Sequence, residues 1–149
     1  TICTTGIRVS ELRFITAETL ASGRTEIRLK GKSRVVLLPR ELAQRLRQYA
    51  QARGIRSGPL FRTRTGMPLD RSNIWREMKT LSREAGVAPE KVFPHNLHHL
   101  FARSFYEQEK DLAHLADILG HSSIETTRIY VAVSTQVHEQ MLQRMRLIL

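Results

Sequence analysis

From Pro39 to the C-terminus the apolar residues recur at helical spacing, and most runs are bracketed by residues that start or stop helices. Pro39 opens the first run at its favoured first-turn position; Leu42, Leu46, Tyr49 and Ala50 form its apolar stripe, and Gly54 stops it. Asp70 or Ser72 caps the next, over 71–86, with Ile74, Met78 and Leu81 turned inward and Gly86 at its end. Pro94 precedes a long helix at 95–108. Asp111 begins another, through Leu112, Leu115, Ile118 and Leu119, closed by Gly120. Residues 123–132 form a further helix or a turn of one. A last amphipathic helix spans 135–148, with Val137, Met141, Leu142, Met145 and Ile148 on one face.

The β signal is confined to the early part of the chain. Residues 7–15 read as a short helix after the Thr5-Gly6 turn. Segments 25–29 and 34–38 are strand-like, and 30–33 reads as the hairpin turn between them. Pro59-Leu60-Phe61 supplies a short third strand. The expected fold is therefore α+β, mainly α-helical, with a small three-stranded antiparallel sheet. A length of 149 residues suits one domain with one core. No apolar run approaches the roughly 20 residues needed to cross a bilayer, and Thr1–Thr5 lacks both the basic and the apolar region of a secretory signal. A lone cysteine, Cys3, excludes an internal disulfide framework. These features lead us to expect a cytoplasmic protein with no membrane partner. The chain opens on Thr1 and runs at once into a turn, which suggests a fragment of a longer protein.

Charge is unevenly spread. Between Arg24 and Arg64 there are 12 basic residues, opposed only by Glu26 and Glu41, so this window carries the whole net charge of +10. Such a local excess points to a surface that faces a polyanion, with nucleic acid as the obvious class. Taken alone, it also fits a solvated basic face.

Four separated segments carry residues suited to phosphate chemistry. They are Thr5-Gly6-Ile7-Arg8-Val9-Ser10-Glu11-Leu12; the basic turn Lys30-Gly31-Lys32 leading to Val35-Val36-Leu37-Leu38-Pro39; Pro94-His95-Asn96-Leu97-His98-His99; and Leu119-Gly120-His121-Ser122-Ser123 with Tyr130 nine residues after the histidine. In this order they resemble the four motifs of the tyrosine recombinases of phage-integrase type, and the resemblance covers essentially the whole chain. It implies that 1–149 is the catalytic domain, and that an N-terminal DNA-binding domain of the full protein is absent from it. It implies site-specific cleavage and rejoining of double-stranded DNA through a 3′-phosphotyrosyl intermediate, without metal or other cofactor, as in integrases of mobile genetic elements. A homotetramer on DNA is implied as well, with a monomer as one state off DNA.

The chemistry explains the set. Tyrosine attack on a phosphodiester gathers negative charge on the non-bridging oxygens, so fixed cations must face them. The leaving 5′ oxygen needs a proton, and a phenol with a pKa of about 10 must lose one. The resemblance makes Tyr130 the nucleophile and Arg8 the phosphate clamp, a planar fork that lysine cannot imitate. Lys30 becomes the general acid. The hairpin is one residue shorter than the family's common form, which makes Lys32 a competitor for that role. His95 assists proton transfer, His121 donates to the phosphate, and Glu11 supports Arg8 or a histidine. Lys32, Arg34, Arg62 and Arg64 are the expected DNA contacts. His99, Tyr49 and Tyr106 take packing roles. His95 and His99 share a helix face, but His-x-x-His-His lacks the glutamate of a zinc-binding helix, so no metal is expected.

One position departs from the pattern. The family places a second arginine where this chain has His98. A neutral imidazole offers one donor in place of several and no permanent charge. Slow cleavage with normal DNA binding is the expectation. The alternatives are a catalytically inactive DNA-binding module and a type IB topoisomerase-like enzyme.

Overall fold

The computed structural model describes residues 1–29, 31–129 and 144; of Leu29, only the backbone is described. It begins with a single helical turn, α1 (Ile2–Thr5), ended by Gly6 at φ 65. A 3₁₀ turn follows at Val9–Phe14, so the expected helix over 7–15 is shorter and more tightly wound. A second short helix, α2 (Thr19–Ser22), leads into β1 (Arg24–Leu29) and β2 (Lys32–Leu37). The strands pair antiparallel from Arg24↔Leu37 to Leu29↔Lys32, leaving only Lys30 and Gly31 between them.

Among the described residues the sheet has two strands, not three. The segment expected as a third strand forms only an isolated bridge, Pro59 with Thr16. The Leu60 N–H donates to the Ile15 carbonyl and the Ala17 N–H to the Gly58 carbonyl. Pro59 has no N–H with which to extend a ladder, and its neighbours are already bonded to residues 15–17 rather than to the hairpin.

The helical part follows the punctuation in the sequence. Helix α3 (Arg40–Ala52) starts after Pro39 and buries Ala43, Leu46 and Ala50. Helix α4 (Arg71–Glu84) is capped by Asp70, whose carboxylate accepts from the Asn73 N–H at 2.7 Å. Its inner face is rotated from the expected one. Leu81 is 60% exposed, while Lys79 and Ser82 are buried. Lys79 is drawn in by partners beyond its own helix: its ammonium donates to the Pro89 carbonyl and sits 4.2 Å from the Phe93 ring centroid, with Trp75, one turn earlier in α4, at 5.2 Å. Helix α5 (Pro94–Glu109) begins with proline in its first turn. Helix α6 (Leu112–Leu119) is capped by Asp111 and closed by Gly120 at φ 66, and α7 (Ile124–Arg128) is capped by Ser123. The rest of the segment expected at 123–132, from Tyr130 on, lies outside the described residues. So does the helix expected at 135–148, apart from Arg144.

Among the described residues, two apolar clusters form the core. The larger gathers Ile7, Ile15, Ile27, Val36, Leu46 and Leu60 with their neighbours; the smaller gathers Ala102, Leu115 and Leu119 under Phe101 and Phe105. They meet at Gly6. A Cβ there would lie 2.6 Å from the Phe101 ring and 2.9 Å from the Leu119 side chain, so the closeness of α1 to α5 and α6 requires glycine.

Candidate active site

Arg8 stands where extended chain enters the 3₁₀ turn. Its backbone N–H donates to Glu11 Oε2 at 2.7 Å, and its Nη1 donates to Glu11 Oε1 at 3.2 Å. The Glu11 side chain is 2% exposed, and a carboxylate so buried requires paired donors. A second guanidinium supplies them. Arg34 Nη2 donates to Glu11 Oε2 at 2.6 Å, and its Nη1 donates to the Ile118 carbonyl. The Arg34 side chain is 13% exposed, whereas that of Arg8 is 42% exposed. One carboxylate thus holds two guanidiniums, leaving an excess positive charge at the surface around Arg8.

The histidines approach Arg8 from the other side. Helix spacing puts His95, His98 and His99 on one sector of α5. The His95 ring centroid is 6.0 Å from that of His98 and 4.2 Å from that of His99, edge-on in the second case. His98 is 4% exposed. Burial, then the charges of Arg8, His121 and His95, push its pKa down to about 4, against a smaller opposing effect from a hydrogen bond with the Gly6 backbone. His98 is therefore neutral at pH 7. His121, just past α6, is 6.3 Å from His98 between ring centroids. Its Nδ1 lies 2.8 Å from the hydroxyl of fully buried Thr127. Burial, then Arg8 and Arg34, lower its pKa as well.

Two clefts open on these groups and share Arg8 and Ser10. One, of about 710 Å³, is lined by Arg8, Arg71, Trp75, Phe93, His95 and His98 among others. The second, of about 670 Å³, is lined by Arg8, Glu11, Lys32, Arg34, Gly120 and His121 among others. Of the residues singled out in the sequence, Arg8, Glu11, Lys32, Arg34, His95, His98 and His121 thus line one cleft or the other. Arg62 and Arg64 line neither; Arg62 forms a bridge with Pro68, and Arg64 is exposed in the following turn. Lys30 and Tyr130 lie outside the described residues. Among the described residues, no group of three or more His, Cys, Asp or Glu is arranged to hold a metal ion.

Sequence reasoning missed Arg71, Trp75 and Phe93 as cleft walls, and Thr127 as the partner of His121. It also took Arg34 for a surface residue. A signal for Arg34 was present: it shares its side of β2 with Val36, which is buried, while Val35 and Leu37 on the other side are exposed.

The family model described as "Phage integrase family" matches residues 2–137. Tyrosine recombinase XerA of Thermococcus kodakarensis is 35% identical over 138 residues, covering 88% of this chain and 48% of that protein. Tyrosine recombinase XerC of Pseudomonas entomophila is 36% identical over 138 residues, with 88% and 45% covered. The chain thus spans about half the length of the curated relatives it matches. Among solved structures, XerA recombinase superposes with a TM-score of 0.76 at 30% identity, covering 97% of this chain and 54% of the other. XerH site-specific recombinase bound to difH substrate, a pre-cleavage complex, also gives 0.76, at 28% identity, with 97% and 44% covered.

Proposed function

The chain belongs to the phage integrase family, and from that premise we propose that it is the catalytic domain of a tyrosine recombinase that cuts and rejoins double-stranded DNA. The likeness to XerA and to DNA-bound XerH supports this reading. The observation that carries it is Arg8, held by a buried carboxylate where the His95/His98 cleft adjoins the Lys32/His121 cleft.

In this reading the scissile phosphate docks on Arg8. The exposed part of its guanidinium neutralises the non-bridging oxygens, and His121 donates to one of them, oriented by Thr127. The Tyr130 oxygen attacks phosphorus and His95 receives the phenolic proton. The bond to the 5′ oxygen breaks, and Lys30, or Lys32 in its place, protonates the leaving oxygen. The product is a 3′-phosphotyrosine and a free 5′-hydroxyl; the reverse sequence rejoins a strand. The covalent link conserves the energy of the phosphodiester, so no nucleotide triphosphate enters. Arg62 and Arg64 act as contacts to the DNA backbone. The working assembly is a homotetramer on two duplexes, formed with an N-terminal DNA-binding domain of the full protein, and the compartment is the cytoplasm. Among the described residues no helix is long and apolar enough to cross a membrane.

The test is trapping on a nicked suicide duplex that carries the cognate site, with the covalent adduct resolved under denaturing conditions. The full-length protein is expected to form an adduct that Tyr130→Phe abolishes. No adduct above the Tyr130→Phe level, despite DNA binding, would overturn the reading. Of the two alternatives, neutral His98 favours an inactive DNA-binding module over a topoisomerase-like enzyme.

A further inference from the structure

Arg34 joins three elements that are far apart in sequence. From β2 it reaches the buried carboxylate of Glu11 in the 3₁₀ turn and the Ile118 carbonyl near the end of α6. Its aliphatic part lies against the backbone of Gly120: a Cβ at 120 would come within 2.5 Å of Arg34 Cδ. Gly120 in turn precedes His121. The same side chain therefore touches the support of one phosphate-facing group and the turn that carries another.

The distribution of donors on Glu11 gives this junction a consequence. Oε2 accepts from the Arg8 backbone at 2.7 Å and from Arg34 at 2.6 Å, so Oε1 alone is left for the Arg8 guanidinium, at 3.2 Å. Arg8 is thereby held through one nitrogen, and the rest of its fork stays available to a ligand. Without Arg34, a carboxylate this buried would have one guanidinium partner left, and the favoured response is a bidentate fork-to-fork pair. That pair would turn the Arg8 donors away from the cleft.

Resting on the recombinase reading, we propose that Arg34 is a positioning residue for strand cleavage: by occupying Glu11 it keeps Arg8 singly bonded and presented to the phosphate, and by its contacts with Ile118 and Gly120 it sets the spacing to His121. This role differs from direct contact with DNA. A guanidinium with both terminal nitrogens engaged and little exposure contributes through its neighbours.

Arg34→Ala and Arg34→Lys separate the two roles in the full-length protein. Single-turnover cleavage of a nicked duplex at saturating DNA is expected to slow on the order of 10- to 100-fold in Arg34→Ala, with DNA affinity essentially unchanged. Arg34→Lys keeps the charge but cannot reach Glu11 and Ile118 together, so it is expected to fold and to recover only part of the rate. A loss that falls wholly on affinity, with the salt dependence lowered by about one phosphate contact, would overturn the proposal; so would an Arg34→Lys protein that cleaves at the wild-type rate. A second readout needs no activity. NMR of arginine side-chain N–H groups, or a crystal structure, is expected to find Arg8 bidentate on Glu11 in Arg34→Ala, or in Arg34→Lys if the alanine variant does not fold. An unmoved Arg8 would sink the proposal. If wild-type protein forms no adduct, the recombinase reading fails on its own, and the state of Arg8 still decides the role of Arg34.

Discussion

The two sides of the site are built on opposite principles. On one side, Arg8 and Arg34 are permanent cations, and their direction is fixed by the Glu11 carboxylate and, for Arg34, the Ile118 carbonyl as well. On the other, His95, His98 and His99 are brought together by helix geometry, and the most buried of them is held neutral. The first side supplies charge in advance of any ligand. The second holds His98, a neutral ring that gains charge only when an anion arrives and raises its proton affinity. In the recombinase reading, a centre that neutralises a phosphorane while moving protons needs both behaviours, and Arg8, which lines both clefts, is where they meet.

This contrast can be broken most sharply at Arg8. If the permanent wall bears the phosphate, Arg8→Ala is expected to slow cleavage on the order of 1000-fold, read as single-turnover adduct formation. A loss no greater than that of His98→Ala would erase the distinction. His98→Arg attacks the other side by adding a permanent charge to the imidazole wall. Cleavage is expected to rise on the order of 100-fold, and a variant no faster than wild type would mean that the permanent charge of Arg8 already suffices.

The smallest effect is on stability. His98 takes up a proton at about pH 4 in the folded chain, but at about pH 6.5 when unfolded. Between these values the unfolded state binds more protons, so stability falls as pH drops through that window and levels off below it. Denaturant midpoints are expected to report about 1–2 kcal/mol less stability at pH 5 than at pH 7, after allowing for the solvent admitted by the clefts. His98→Gln should remove that part of the slope. An unchanged slope would place the titration elsewhere.

Much of the helical architecture was legible because its signals are local. Pro39, Asp70, Pro94, Asp111 and Gly120 mark helix ends by satisfying or removing backbone groups within a few residues. The errors arose where a distant partner decided. Pro59-Leu60-Phe61 has strand chemistry, but its neighbours bond to residues 15–17. Leu81 has helical core spacing, yet α4 turns Lys79 inward because Phe93 and Pro89 receive the ammonium. The site follows the same rule. Spacing within each motif was readable, and the alternation along β2 marked the face of Arg34. That Glu11, 23 residues earlier, would be its partner was not readable from either motif.

Gly6 lies two residues before Arg8, and the Phe101 ring that presses on it lies one helical turn beyond His98. The seam between the two apolar clusters thus lies close in sequence to both Arg8 and His98. Its setting is the thickness of a glycine backbone against an aromatic ring. A side chain added at Gly6 can only force the elements apart, so any closer grip on a ligand by substitution there is closed off.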